Sequence, residues 1–158
     1  MTSLRVLGLA LAISLLLSMG GNGTSLASQS HINNLDSDGL ALQGFDPVAY
    51  FTLGQPTKGL SRFEHVWRGA RYRFANAAHR SAFRDDPERY APSYGGYCAF
   101  GFRYGQKSAV DPTQWEIVDG RLHLLLNRAT KVVWQRKVHE NITVADRLWK
   151  ELLASRAD

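Results

Sequence analysis

Few side chains in this sequence can do chemistry. The chain holds one cysteine and five histidines. Cys98 is the sharpest candidate. As a thiolate it is a good ligand for Cu(I) or Zn(II), and beside a base it would be a nucleophile. In an apolar setting the same residue acts as a small hydrophobe. It lies in Tyr94–Gly105, YGGYCAFGFRYG, where five aromatics and four glycines share twelve residues. Tyr94, Tyr97, Phe100 and Phe102 either line a face for a partner or a planar ligand such as haem, or fill a core. His79 falls on an expected helix and His65 on the aromatic side of an expected strand. Each imidazole is a candidate metal ligand, against the plainer roles of a solvated helix histidine and a core histidine. His123, between Leu122 and Leu124, is expected to point outward. His139 sits at a helix junction and His31 in a polar stretch.

Other chemistries have less behind them. No two histidines stand at i and i+4, and there is no His-Glu-x-x-His, so no preformed zinc-enzyme site is signalled. Neither Gly-x-Ser-x-Gly nor a phosphate-cradling Gly-Lys-Ser/Thr is present. Asp85, Asp86 and Glu88 read as a solvated turn. Asp46 and Asp111 each precede proline, which suits helix capping. A single cysteine excludes an intrachain disulfide framework and a cysteine-rich structural zinc site. The residues therefore argue for a binding protein rather than an enzyme, and no organic cofactor is signalled.

The elements that must position these groups follow from pattern. Asp46-Pro47 opens a short helix through Phe51. Phe63, His65 and Trp67, then Tyr72 and Phe74, alternate about Arg68-Gly69 and predict a hairpin. Asn76 caps a helix over Ala77–Arg84, and Pro87 opens a short one through Tyr90. Asp111-Pro112 reads as another helix start. Asp119-Gly120, between Trp115–Val118 and Leu122–Leu126, predicts a second hairpin. Arg128–Val138 and a helix capped by Asn141 complete the chain. Asn141-Ile142-Thr143 also matches a glycosylation sequon, a short and common pattern. No repeat of fixed period is evident. The expected fold is α+β: a small antiparallel sheet built from two hairpins, helices packed on one face, and a C-terminal helix pair.

Residues 1–27 read as a secretory signal peptide. Arg5 supplies the positive region and Val6–Met19 the apolar core, with Ser25 and Ala27 as small residues before a cut. The apolar run falls short of the roughly 18 residues a membrane span needs. Ser28–Gly39 reads as a flexible lead-in, 40–154 as the domain and 155–158 as a tail. The expected location is periplasmic or secreted, with no stable membrane insertion once the signal is removed. The formal charge of +5 is spread along the chain, so no nucleic-acid stripe is expected.

The stretch Gly44-Phe45-Asp46-Pro47-Val48-Ala49-Tyr50, then Trp67-x-Gly69-x-x-Tyr72-x-Phe74, then Phe83, Pro87, Glu88 and Tyr90, resembles the YHS-domain family. Tyr94-Gly95-Gly96-Tyr97-Cys98-Ala99, Val118-Asp119-Gly120 and the Trp149 helix resemble an exported branch of it. The resemblance implies an association with heavy metals, copper foremost. It also implies thiolates at three positions, occupied here by Ala49, Ala75 and His79. With two of the three lost, the implied thiolate site does not carry over. Any metal would be held by a different set, Cys98 with His79 or His65, and the other expected partner is an exported protein.

Overall fold

The structure is a computed structural model and describes residues 33–156. The signal-peptide segment lies outside the described residues. The α+β architecture is as expected. Helix α1 (Pro47–Thr52) precedes strands β1 (Leu60–Trp67) and β2 (Ala70–Phe74), followed by α2 (Ala77–Asp85) and α3 (Pro87–Tyr90). Then come α4 (Ala99–Phe102), strands β3 (Asp111–Val118) and β4 (Arg121–Leu125), and the helix pair α5 (Arg128–Gln135) and α6 (Val138–Ala154). The hairpins form two separate two-stranded sheets, β1-β2 and β3-β4.

These elements are two copies of one unit. Leu42-Gln43-Gly44 and Tyr94-Gly95-Gly96 each run through three consecutive left-handed residues, with φ of 51, 51 and 76° and of 55, 60 and 83°. Each turn leads into a helix cap, Asp46 for α1 and Cys98 for α4. Asp46 N–H donates to the Thr57 carbonyl at 2.8 Å, and Cys98 N–H donates to that of Ser108 at 3.2 Å. Both eight-residue strands carry the same irregularity, between Leu60 and Glu64 and between Asp111 and Trp115. Both hairpins turn on two left-handed residues, Arg68-Gly69 and Asp119-Gly120, as the twist of a two-residue connection requires. Asn76 and Asn127 then cap α2 and α5 by accepting from the third residue on, His79 and Thr130. From the strands onward the offset is 51 residues (111 − 60, 127 − 76).

No periodicity betrayed this, because the copies share backbone demands rather than core residues. Gly44/Gly96, Gly69/Gly120 and Asn76/Asn127 persist where a positive φ or a cap requires them. The core positions are refilled. Tyr72 on β2 packs on Phe83 of α2 with centroids 4.6 Å apart, and the equivalent pair is His123 and Trp134 at 5.6 Å.

Gly59 enters β1 at a point of close approach. A Cβ there would lie 2.4 Å from the Arg73 carbonyl carbon. Gly59→Ala is therefore expected to destabilise the chain by about 1–3 kcal/mol through forced separation of β1 and β2. Urea unfolding would check this, and a loss indistinguishable from zero would mean that the strands separate freely at this point.

Three local expectations are corrected. Residues 33–39, within the expected lead-in, are tied down. Asn34 N–H and Nδ2 donate to the carbonyls of Gly95 and Gly96, which the left-handed turn would leave unpaired, and Asp36 accepts from Asp38 and Leu40. Asp111-Pro112 starts a strand, Asp111 closing a local turn onto Thr113. Helix α6 begins at Val138 rather than at an Asn141 cap. Asn141 lies inside α6, buried, accepting from Arg103 and donating to the Trp134 carbonyl at 2.8 Å, so the sequon is inaccessible in the folded chain.

Candidate functional site

The first unit closes on one carboxylate. Asp46 is fully buried, and burial of a charge demands partners on every side. Its Oδ1 accepts from Val48 N at 2.9 Å and Ala49 N at 3.3 Å, the capping bonds of α1. Its Oδ2 accepts from Ala75 N at 2.8 Å, at the end of β2, and from His79 Nδ1 at 2.6 Å, on α2. Ala49, Ala75 and His79 thus converge in space, and each presents a donor to Asp46. The carboxylate stands at their centre and joins α1, β2 and α2.

His79 is held by this arrangement. Donation from Nδ1 to the carboxylate fixes the orientation of the ring and turns Nε2 away from Asp46. Nε2 lies 3.4 Å from Thr52 Oγ1, whose own proton goes to the Val48 carbonyl. The His79 side chain is 13% exposed. An imidazole oriented by a carboxylate through one nitrogen is the arrangement a metal-binding histidine has.

The other expected ligands lie elsewhere. Cys98 is buried, bridges to Leu124 of β4, and heads α4. His65 stays on β1, edge-on to Phe83 at 6.2 Å. Among the described residues no three His, Cys, Asp or Glu side chains gather closely enough to hold a metal ion. The set Cys98, His79 and His65 is therefore not assembled. The cysteine is in the second unit, His79 is in the first, and His65 packs on Phe83.

The expected aromatic face is divided. Tyr94 and Phe102 are core residues, stacked with centroids 5.5 Å apart and both meeting Trp149. The Tyr94 hydroxyl donates to Asp146 Oδ1 at 2.8 Å, and Arg121 grips the same carboxylate with two bonds. Burial pushes the Asp146 carboxyl up, yet the bonds from Arg121 and Tyr94 outweigh it and hold it below the usual value. Tyr97 and Phe100 are half-buried, and Tyr104, edge-on to Phe100 at 5.5 Å, is 61% exposed. Among the described residues no helix is long and apolar enough to cross a membrane.

His123 is the largest departure from expectation. β4 is buried on both sides, with the Tyr94 turn, α3, α4 and α5 packed against it. The imidazole is wholly buried, 5.8 Å from the Tyr94 ring and 5.6 Å from Trp134. Neither ring nitrogen has a hydrogen-bond partner, and neither does the Trp134 indole N–H.

Sequence reasoning read Asp46 only as a cap and missed its hold on α2. The pattern Asp-Pro-Val gives the two capping bonds, while those from Ala75 and His79 require the folded chain. No known family model, curated protein or solved structure matches this chain.

Proposed function

We propose that this chain is a small exported YHS-like binding domain that folds and works without a metal and docks a partner or planar group through its aromatic, glycine-rich segment. The convergence of Ala49, Ala75 and His79 on the Asp46 carboxylate carries this reading. The network satisfies the buried charge and ties the three segments together, which is the structural work a metal would otherwise do. The partly exposed rings of Tyr97, Phe100 and Tyr104 are the part of the segment free to meet a partner. The test is titration with anilinonaphthalene sulfonate, a planar fluorophore. Saturable one-to-one binding, weakened about tenfold or more in Tyr104→Ser and Phe100→Ser, is the expected outcome. Binding unchanged by both substitutions contradicts this docking face.

One observation favours a second reading. The His79 ring, oriented by Asp46 through Nδ1, suits an imidazole that takes up a transition metal at Nε2, copper foremost, with the remaining ligands supplied from outside the chain. That reading requires affinity lost in His79→Gln and kept in Cys98→Ser.

A further inference from the structure

We infer that His123 and Trp134 form an acid-sensitive latch, through which protonation of one buried imidazole releases the C-terminal helix pair from the second hairpin. The internal duplication carries the argument. At the same two positions the first unit places Tyr72 and Phe83, both buried, with no orphaned polar atom among the described residues. The unit therefore does not require an imidazole there. The second unit has His123 and Trp134, three of whose polar atoms are buried without partners. Each such atom costs stability. What the exchange adds is a titratable group at the seam between β4 and α5.

The surroundings offer a charge on that group no hydrogen-bond acceptor. From α5, Trp134 presents its ring at 5.6 Å and an N–H that is only a donor. From the turn before α4, Tyr94 presents its ring, and its hydroxyl is committed to Asp146. On β4 itself, Arg121 is a like charge. On α6, Asp146 is engaged bidentately by that Arg121, and His139 pairs with Asp119 of the hairpin turn at 3.7 Å. On β3, Glu116, the cross-strand partner of His123, accepts from Gln135. On α3, which also packs on β4, Glu88 is bonded to Arg68 at 2.5 Å. Asp146 and Asp119 favour the charge, but less than burial and Arg121 oppose it.

The direction in pH follows from linkage. Burial first, then Arg121, pushes His123 down from 6.5 to about 4. As pH falls the open state takes the proton before the closed one does. The closed state is most stable above 6.5, weakens progressively toward pH 4, and levels off below it. Loss of the Asp146 bonds belongs to a lower range, since that carboxyl is held below 3.8.

The test is hydrogen exchange on the full chain between pH 7 and 4.5, corrected for intrinsic rates, in wild type and His123→Phe. Within the window from 6.5 to 4, the opening constant of the α5 and α6 amides is expected to rise by up to about tenfold per pH unit. The β1-β2 amides are expected to stay flat, and so is His123→Phe throughout. Equal acceleration in both units, or the same acid response in His123→Phe, overturns the latch. NMR titration of the wild-type imidazole decides the question independently of whether the variant folds. A titration near the ordinary 6.5 overturns the proposal, and a ring still neutral at pH 5 in the folded chain supports it.

Discussion

Asp46→Ala is expected to cost about 3–5 kcal/mol of unfolding free energy, in the range for breaking a buried charged network by removing one partner. The substitution strips acceptors from four donors at once: Val48 N, Ala49 N, Ala75 N and His79 Nδ1. Two of these are inside α1, one ends β2 and one lies on α2, so the loss falls on the joints between elements. Asp46→Asn keeps the shape and one acceptor oxygen but places an NH₂ group against an N–H donor. It is expected to recover only part of the loss. Urea unfolding monitored by fluorescence and by far-UV dichroism checks both. A cost below about 1 kcal/mol for Asp46→Ala, in the range of an ordinary exposed cap, would mean that the carboxylate is not what closes the first unit.

Phe83→Ala carries the second large effect, about 3–5 kcal/mol. The Phe83 ring is wholly buried and meets four others: His65 at 6.2 Å, Trp67 at 6.1 Å, Tyr72 at 4.6 Å and Phe74 at 5.2 Å. Those partners belong to β1 and β2, so the ring is the main anchor of α2 on its hairpin. The rigid strands limit collapse into the space left. Its counterpart gives a contrast. Trp134→Phe trims an indole whose N–H has no partner, and the lost volume is offset by relief of that orphan. It is expected to be milder than Phe83→Ala by at least about 2 kcal/mol. Comparable losses at both sites would show that the Trp134 N–H is satisfied in solution.

The local elements were legible in the sequence because their signals are local. Arg68-Gly69 and Asp119-Gly120 between alternating apolar runs allow few connections other than a two-residue turn. Asn76 caps its helix, and Asp46-Pro47 starts one, through bonds spanning two or three residues. What escaped was non-local. Asp111-Pro112 has the same dipeptide form as Asp46-Pro47, yet Asp111 pairs with Leu125 in a strand, and that pairing is set by a hairpin formed later in the chain. His123 was placed outward by the alternation rule, which presumes one wet face. β4 has none, since Leu122, His123, Leu124 and Leu125 are all buried. The duplication was hidden because its copies agree in φ angles and caps while their core residues differ. Residue type and resemblance mark Cys98 and His79 as candidate ligands, and neither reveals that they belong to different units.

The most direct test of metal-independent closure at Asp46 is a Cu(I) titration. The purified chain, kept reduced, competes with a colorimetric Cu(I) chelator, and wild type is run beside Cys98→Ser and His79→Gln. If closure at Asp46 needs no metal, none of the three withdraws copper from the chelator, and the wild-type melting temperature is unchanged by chelator treatment. Tight one-to-one binding by the wild type, lost in either variant, would contradict it and would name the ligand the metal uses.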